Sequence, residues 1–452
     1  MPTEAIPPAP AQVRKPPAAM AEQPRRGHQL TLLGGLLSAD NGESSVVSVL
    51  FPALRTALGL PLAALGLLGA VGKLAGMVTA PVWVAVAQRY SRTTVLAVCS
   101  GLWGVWTIAS GFAQNYVQLL ILFGMAAAGV AGGAPLANAL LADLYDDRTR
   151  GRATGYLYGL AALGSGLAGP LLGLLSDVED GWRYGFFITG SIQVLFGVLA
   201  LLFLRDPGVG AGEPQLAAMK RTAGVKRPLS WASVRHLLRN RTLLVMYAQR
   251  LTNGQFVLLS FGVTFLVDVR GFSNAQASLV TVPYALAYLV GTLLGGLVTD
   301  RVHRRDPRTG RVMMMQIVIV AYGLIGWFAT QVAWSSLAVY FALFGVLAAL
   351  QGCNPGINRP IVMSVVAPEL RGAAFALMFS AEAAAWALTM LLVGYLGDAF
   401  GLETAFLWIV VLLVLANGAL VSFLYRTCPR DAAALTDELD RRAAAGRDDA
   451  DG

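Results

Sequence analysis

The sequence is poor in the residues that usually build metal sites, disulfides and soluble surfaces. Only 13% of its 452 residues are charged, and it contains three cysteines and three histidines. The cysteines, Cys99, Cys353 and Cys428, have neither metal-ligand spacing nor a paired framework, so no metal or cofactor is expected. The histidines fall near the ends of apolar segments, and no G-x-x-x-x-G-K phosphate-binding motif occurs. These absences argue against an enzyme and against an ATP-driven pump.

Apolar residues are abundant instead, at 56% of the chain. This content exceeds that of an ordinary soluble domain and indicates a multi-pass membrane protein. About twelve runs are long enough to cross roughly 30 Å of hydrocarbon. They fall near 29–55, 61–87, 94–114, 117–142, 153–176, 184–204, 242–267, 275–299, 311–331, 335–364, 373–397 and 404–425. The sequence therefore predicts an all-α membrane protein with twelve transmembrane helices in two groups of six.

The positive charges, which give a formal net charge of +8, follow alternate predicted helices. By the positive-inside rule these loops and both termini are cytoplasmic, and the protein lies in the cytoplasmic (inner) membrane. A nucleic-acid-binding surface explains this alternation poorly. The expected organisation is a disordered tail (1–27), a six-helix bundle (28–204), a central cytoplasmic loop (205–241), a second six-helix bundle (242–425) and a C-terminal tail (426–452).

The two halves repeat each other. Asn41-Gly42 matches Asn253-Gly254, and Arg89 matches Arg301, both at an offset of 212 (253 − 41 and 301 − 89). Later landmarks, such as Arg150-Gly151 and Arg371-Gly372, match at 221 (371 − 150). A chain made of two such repeats is expected to bind its substrate at their interface and to move one half against the other.

Two carboxylates interrupt the first apolar run. Asp40 and Glu43 lie three residues apart and hence on one helical face, with the helix-weakening pair Asn41-Gly42 between them. Because a carboxylate at the centre of an inserted helix costs about 2.5–3.5 kcal/mol, such residues are expected to have a function. We predict that they meet a cavity, and that at least one binds a proton more readily than a solvated acid does.

Four further charges fall within predicted spans: Lys73, Arg250, Arg359 and Glu382. Three acids thus accompany three bases, which is compatible with buried pairing. On a structural interpretation, Lys73 is the counter-ion of the first helix and Glu382 pairs with Arg359 or Arg250. On a functional interpretation, Asp40 or Glu43 couples transport to protons, while the two arginines bind a phosphate or carboxylate of the substrate.

Amide side chains fill the same region of the second half. They are Asn253, Gln255, Gln351, Asn354 and Asn358. Such residues either line a substrate cavity or form hydrogen bonds between helices. The segment CNPGINRP contains Pro355, Gly356 and Pro360, so it predicts a broken helix that serves as a gate.

At these residues the chain resembles the major facilitator superfamily, over nearly all of residues 28–425. The loop signature G-x-x-x-D-R-x-G-R-R is similar to GLVTDRVHRR, where Gly296, Asp300 and Arg301 match. The first-half copy, VAVAQRYSRT, keeps Arg89 and Arg92 but has glutamine in place of the aspartate. The resemblance implies the major facilitator fold, and it implies that Arg89, Arg92, Asp300 and Arg301 help to close the cytoplasmic face.

The segment LGSGLAGPLLG resembles a pattern that this superfamily associates with export, with Gly169, Pro170 and Gly173 matching. Small residues allow close helix approach, and Pro170 permits a kink, so Gly169 and Pro170 are expected to act in gating. Plain tight packing is the alternative.

Three other segments resemble the Spinster-like carriers, which handle lysolipids and sphingoid phosphates: SGLWGVWTIASGFAQNY, LLADLYDDRTRGRATG and IVMSVVAPELRGAAFAL. The resulting expectation is a monomeric secondary transporter for proton-coupled export of an amphipathic small molecule or lysolipid. Uptake or facilitated diffusion of a small organic anion is the first alternative. A membrane sensor that binds a ligand without moving it is the second.

Overall fold

The computed structural model describes residues 26–60, 63–175, 178–213, 215, 235–273, 276–277 and 279–451. Within these ranges the chain is helical and contains no β-strand. The predicted N-terminal tail lies almost wholly outside them, as does most of the central loop.

The first half contains six long helices. They are α1 (Arg26–Leu58), α2 (Ala63–Arg89), α3 (Arg92–Ser110), α4 (Tyr116–Leu144), α5 (Arg150–Gly173) and α6 (Gly181–Phe203). A π-helical stretch interrupts α3 at Ala97–Leu102.

The second half has the same order, except that its first span is divided. It contains α7 (Arg241–Leu251), α8 (Phe256–Asp268), α9 (Thr281–Arg305), α10 (Gly310–Gln331), α11 (Leu337–Val365), α12 (Arg371–Phe400) and α13 (Leu402–Val421). A final helix, α14 (Leu424–Asp451), covers the segment expected to form the C-terminal tail.

Nine helices in the described ranges are long and apolar enough to cross a membrane, and α7 with α8 would make ten. The multi-pass, all-helical fold is therefore confirmed. The two other predicted spans correspond to α1 and α5, of 33 and 24 residues. That these two also cross, and that the termini are cytoplasmic, stay predictions.

Helix α11 corrects the prediction of a broken helix, because it continues through both Pro355 and Pro360. A proline has no N–H for the carbonyl four residues earlier, which normally leaves that carbonyl without a partner. Here the Asn354 side-chain Nδ2 donates to the Gln351 carbonyl at 2.9 Å, and this bond replaces the one lost at Pro355.

The break in the second half lies instead between α7 and α8, at the Asn-Gly pair. Other helices satisfy the backbone groups that the break releases. Asn417 of α13 donates to the Gln249 carbonyl at 2.8 Å, and Tyr322 of α10 donates to the Gln255 carbonyl at 3.2 Å. Irregular backbone at membrane depth needs such partners. The matching Asn-Gly pair of α1 leaves that helix continuous.

The end of the bundle at which α1, α3 and α5 begin carries the arginine-rich loops, and we call it the basic face; the other end is the opposite face. Helices α2 and α12 meet across the two halves, where Ser380 donates to the Met77 carbonyl at 2.9 Å. Nearer the opposite face, a methyl group added at Gly69 of α2 or Gly394 of α12 would meet no atom of the described residues within 4 Å. The two halves thus touch where Ser380 meets Met77.

Helices α5 and α9 repeat this arrangement. A methyl group at Gly155 would lie 2.6 Å from the Thr292 carbonyl, and one at Gly159 would lie 2.7 Å from Leu293. At Gly166 and Gly173, toward the opposite face, the same addition meets no atom of the described part of the chain within 4 Å. Both pairs of helices therefore bring the two halves together in the part of the bundle nearer the basic face.

Candidate functional site

A charged cluster lies between the halves, centred on Glu382 of α12. Glu382 Oε1 is 3.0 Å from Arg250 Nε of α7 and 3.1 Å from Arg359 Nη2 of α11. The sequence leaves open which arginine pairs with Glu382, and the structure places both beside it. All three side chains are largely buried, since between 4% and 21% of their surfaces is exposed.

The cluster lies near the middle of the bundle. Glu382 is eleven residues after Arg371, the first residue of α12 (382 − 371). At 1.5 Å per residue this is about 16 Å along the helix, or half of a roughly 30 Å hydrocarbon layer. Glu382 lies two residues after Ser380, which bonds to Met77 of α2 across the interface. The cluster thus lies at the interface between the halves, near the middle of the bundle.

The first half contributes an aromatic and an amide group. The Arg359 guanidinium lies 5.2 Å from the ring centre of Tyr158 of α5, a cation–π contact. Asn138 of α4 donates to the Tyr158 hydroxyl at 2.8 Å. A cavity of about 10 Å³, with room for roughly one water molecule, is lined by these residues and by Glu382.

Lys73 also faces this cluster, which corrects the interpretation of Lys73 as the counter-ion of α1. Its Nζ lies 5.7 Å from the ring centre of Trp386, one turn after Glu382 on α12. Glu382 is the carboxylate with which Lys73 interacts electrostatically. The lysine therefore belongs to the interface between the halves.

The charges of the cluster do not balance. The exposed Lys73 and the largely buried Arg250 and Arg359 bring three formal positive charges to one carboxylate, Glu382, so the formal charge of these described groups is 3 − 1 = +2. Arg250 Nε, Arg359 Nε and Glu382 Oε1 are buried without an aligned hydrogen bond among the described residues. Buried polar atoms normally have such partners, so this site keeps capacity for a polar guest.

Asp40 and Glu43 lie elsewhere, inside the first half. Asp40 accepts a hydrogen bond from Ser100 in the π-helical stretch of α3. Glu43 accepts from Thr107 of α3 at 3.3 Å and from Gln193 of α6 at 3.2 Å. Their contacts correct the prediction that this pair meets a central cavity.

Neither carboxylate has a basic partner among the described residues. Both side chains are buried, at 4% and 3% exposure, and Asp40 Oδ1 has no hydrogen-bond donor in the described part of the chain. Gly133 of α4 allows this packing, because a methyl group there would lie 2.5 Å from Asp40 Oδ2. The pair is therefore surrounded by neutral groups.

The predicted amide residues form bonds between helices. Gln255 Oε1 accepts from Asn354 at 2.9 Å, Gln351 accepts from Tyr284 of α9, and Asn253 accepts from the Gln255 backbone at 3.2 Å. The first bond connects the start of α8 to α11, and the second connects α9 to α11. The third lies within the break between α7 and α8. Asn358, by contrast, is fully buried with both side-chain atoms unpartnered among the described residues. Roles in substrate binding stay predictions.

The predicted motif residue Asp300 links the two halves at the basic face. Its carboxylate, on α9, accepts from the backbone N–H groups of Gly151 at 3.0 Å and Arg152 at 2.7 Å, in the first turn of α5. The free N–H groups and the positive dipole end of a helix both favour an anion there. A methyl group at Gly151 would lie 2.3 Å from Asp300 Oδ1, so only glycine allows this approach.

A second link across the basic face was not anticipated. Asp147, in the loop before α5, lies 2.7 Å from Arg311 Nη1 of α10 and 2.6 Å from His303 Nε2 of α9. Burial raises the pKa of Asp147, but the Arg311 charge and the His303 hydrogen bond outweigh it and hold the pKa well below its usual range.

The central loop supplies a third link. Glu213 accepts from Arg150 of the first half at 2.6 Å and also from Arg371 of the second half. Both arginine side chains are 1% exposed. Burial raises the pKa of Glu213, but the charges of Arg371 and Arg150 prevail and lower it. One loop carboxylate therefore joins the two halves.

The predicted gate residues differ in their positions. Arg92 pairs with Asp143 at 2.6 Å and with Asp206 of the central loop. Arg89 and Arg301 are exposed, and no described ion pair involves them. Gly169 and Pro170 lie in the continuous helix α5, but their side-chain surroundings are outside the described part.

Two of the three acids that the prediction missed could have been found from the sequence. Asp143 and Asp147 both belong to the acidic run in LLADLYDDRTR, between two groups of loop arginines. Glu213 had none, because a lone acid in a long loop is indistinguishable from a solvated one.

The chain is similar to a known protein family and to several of its members. The profile of the Major Facilitator Superfamily matches residues 32–355 and 255–445, which together span most of the chain. A probable sulfoacetate transporter of Cupriavidus necator is 27% identical over 287 residues, covering 62% of this chain and 65% of that protein. An MFS-type efflux pump of Mycolicibacterium smegmatis is 28% identical over 382 residues, covering 82% of this chain and 83% of the pump.

Protein spinster homolog 1 of Mus musculus is 26% identical over 325 residues, covering 66% of this chain and 59% of that protein. The match thus spans less than two thirds of the length of the mouse protein and of the sulfoacetate transporter. The resemblance to Spinster-like carriers is confirmed, and these relatives are transporters rather than enzymes.

Solved structures share the fold. The proton:xylose symporter XylE bound to 6-bromo-6-deoxy-D-glucose superposes with a TM-score of 0.67 at 17% identity, covering 89% of this chain and 96% of that one. An inward-facing, unoccupied bacterial homolog of the human lysosomal transporter Spinster gives a TM-score of 0.54 at 19% identity, with 94% and 98% covered.

Proposed function

Because the chain belongs to the major facilitator superfamily, we propose that it is a secondary transporter, and that its substrate is a small organic anion bound at the Glu382 cluster. The observation that carries this proposal is the charge of +2 at mid-membrane depth. Cations at this depth are stabilised by anionic partners, so an excess of them favours an anionic guest.

The cluster also has suitable chemistry. Arg250 and Arg359 come from two helices of the second half, and a guanidinium binds carboxylate, sulfonate or phosphate through paired N–H donors. Lys73 and Tyr158 approach from the first half. A guest held by both halves would link its own binding to their relative movement. The name of the sulfoacetate transporter gives this substrate class further support.

Alternating access would proceed from the closed basic face. Since the arginine-rich loops mark this face as cytoplasmic by the positive-inside rule, the described conformation would receive substrate from outside a cytoplasmic membrane. Release inside requires that the links of Asp300, Asp147 and Glu213 break. The transport direction then follows the gradients of the substrate and of any coupled ion.

Uptake of radiolabelled anions into proteoliposomes tests the proposal, with sulfoacetate, glucuronate and benzoate as probes. Arg250→Ala and Arg359→Ala should each abolish uptake of any anion that the wild type carries. Arg270→Ala is the matched control, because the largely buried side chain of Arg270 pairs with the more exposed side chain of Glu403 at 2.8 Å outside the cluster. Normal transport by both cluster variants would refute the proposal.

A second candidate function is proton-coupled export of an amphipathic molecule or lysolipid, with Asp40 or Glu43 as the proton site. Its support is the neutral surroundings of both buried carboxylates, and the named efflux pump and spinster protein among the relatives. Proton movement driven by lysolipids or cationic dyes, abolished in Asp40→Asn or Glu43→Gln, would favour it. Dye transport that is indifferent to both substitutions would count against it.

A further inference from the structure

We propose that Glu382 occupies the place of the substrate's anionic group, and that an arriving anion displaces it from the arginines while Glu382 takes up a proton. This inference rests on the proposed function and adds the coupling step. It assigns proton coupling to the interface between the halves rather than to the carboxylates of α1.

Geometry gives the first reason. Glu382 lies within 3.1 Å of nitrogen atoms of both Arg250 and Arg359, the groups best suited to bind a substrate carboxylate or sulfonate. Two carboxylates cannot share these donors at full strength, so binding of the substrate and pairing of Glu382 compete. The contacts of Glu382 are imperfect, because Oε1 and both Nε atoms lack aligned hydrogen bonds among the described residues. A better-fitting anion can therefore replace it.

The surroundings give the second reason. The titratable and charged groups around Glu382 are Lys73 of α2, Tyr158 of α5, Arg250 of α7, Tyr288 of α9 and Arg359 of α11. None of these is a second carboxylate. A displaced Glu382 would have Lys73 as its remaining cation, yet Lys73 is also the first-half group available to the substrate. A displaced carboxylate in this interior is stable when it binds a proton.

Charge conservation gives the third reason. The empty site carries three cations and one carboxylate, or 3 − 1 = +2. The site with a monovalent anion and a neutral Glu382 carries the same charge, again 3 − 1 = +2. Both forms can therefore pass through the membrane field at the same electrostatic cost, whereas an unprotonated loaded site would carry +1.

The proton and the substrate anion bind and leave together. A proton from water on the open side bonds to a carboxylate oxygen of Glu382, and the substrate anion takes the arginines. After the halves change position, the anion leaves, Glu382 returns to the arginines, and its proton passes to water on that side. One anion and one proton thus cross in the same direction.

Calorimetry of the purified transporter measures this proton directly. Glucuronate, a monovalent anion, is titrated into the protein in two buffers of different ionisation enthalpy, and the difference in heat gives the protons taken up. We expect the wild type and Glu382→Asp to take up a proton, and Glu382→Gln to bind glucuronate without taking one up. Glu403→Gln, which breaks an arginine pair outside the cluster, should behave as the wild type does.

The inference is overturned if Glu382→Gln takes up as many protons as the wild type, or if it loses anion binding. Loss of proton uptake in Asp40→Asn alone would also overturn it and return coupling to α1. The proposed function fails separately, when the wild type binds none of sulfoacetate, glucuronate and benzoate.

Discussion

Asp300 of the second half accepts a hydrogen bond from the backbone N–H of Gly151 in the first half, and so caps a helix across the interface. The sequence motif marks Asp300, and the repeat marks Gly151, but only the structure joins them. This contact forms when the basic face closes, which makes it a measure of that closure.

We expect Asp300→Asn to weaken closure of the basic face. The substitution removes the charge that two N–H groups and a helix dipole stabilise, at a cost of about 2 kcal/mol or a shift of roughly thirtyfold toward the open form. Spin labels on the two halves at this face would report the shift as longer distances. Asp306→Asn is the control, because within the described part of the chain the Asp306 side chain bonds only to residues 308 and 309 of its own loop. Equal distance distributions in Asp300→Asn and the wild type would contradict the prediction.

We expect Gly151→Ala to prevent closure, since its methyl group would lie 2.3 Å from Asp300 Oδ1. Overpacking of this kind typically costs about 1–3 kcal/mol. Gly166→Ala in the same helix is the control, because its methyl group would meet no atom of any described residue within 4 Å. Transport assays on both variants measure the effect, and equal loss in the two would attribute it to helix α5 rather than to the contact.

We expect Glu213→Gln to destabilise the closed form by about 3 kcal/mol, because it leaves Arg150 and Arg371 buried without their shared carboxylate. Accessibility of residues at the basic face to a thiol reagent, on introduced cysteines, would rise. Glu438→Gln is the control, since Glu438 pairs with Arg442 within α14. Unchanged accessibility in Glu213→Gln would show that the loop only tethers the halves.

The same carboxylate predicts a pH profile. In the closed form the pKa of Glu213 is lowered from its ordinary value of 4.5 by Arg371 and Arg150. Its stabilising contribution is therefore complete above about pH 4.5 and is lost only as the pH falls through the lowered value. Closure that depends on Glu213 should be constant from pH 5.5 to about 8 and weaken in stronger acid. A midpoint near neutral pH in the same accessibility assay would require another group.

Substitution of Asp40 tests whether its buried carboxylate stabilises the fold or is kept for a function. We expect Asp40→Asn to lower the free energy of unfolding by about 1 kcal/mol or less, because asparagine retains an acceptor for Ser100. Thermal unfolding measures this as a small change of the midpoint. Gly133→Ala should cost more, since its methyl group would lie 2.5 Å from Asp40 Oδ2. A large loss of stability in Asp40→Asn would mean that the ionised carboxylate itself holds α1 in place.

Sequence reasoning was sufficient for features that depend on composition and spacing. Apolar runs located the helices, and the repeat offsets identified two related halves. The intramembrane charges were found because each stands out in an apolar run. Their grouping was found only in part, since Glu382 could be matched with an arginine whereas Lys73 was matched with the wrong helix.

The remainder depended on orientation in three dimensions. Asp40 and Glu43 share a face of α1, but the sequence does not reveal whether that face meets the interface or α3 and α6. The prolines of α11 predicted a break because the compensating bond from Asn354 is a side-chain rotamer, which no periodicity encodes. Asp147 and Glu213 were missed because each pairs with a residue of the second half that lies far away along the chain.

Arg150 and Arg371 occupy equivalent places in the two repeats, at the offset of 221, and yet they share one carboxylate that has no counterpart. Two like charges that face each other repel, and each arginine also has a first-half carboxylate nearby, Asp147 beside Arg150 and Asp143 beside Arg371. Glu213 alone contacts both arginines among the described residues. The symmetry of the repeats is thus broken by a segment that belongs to neither of them.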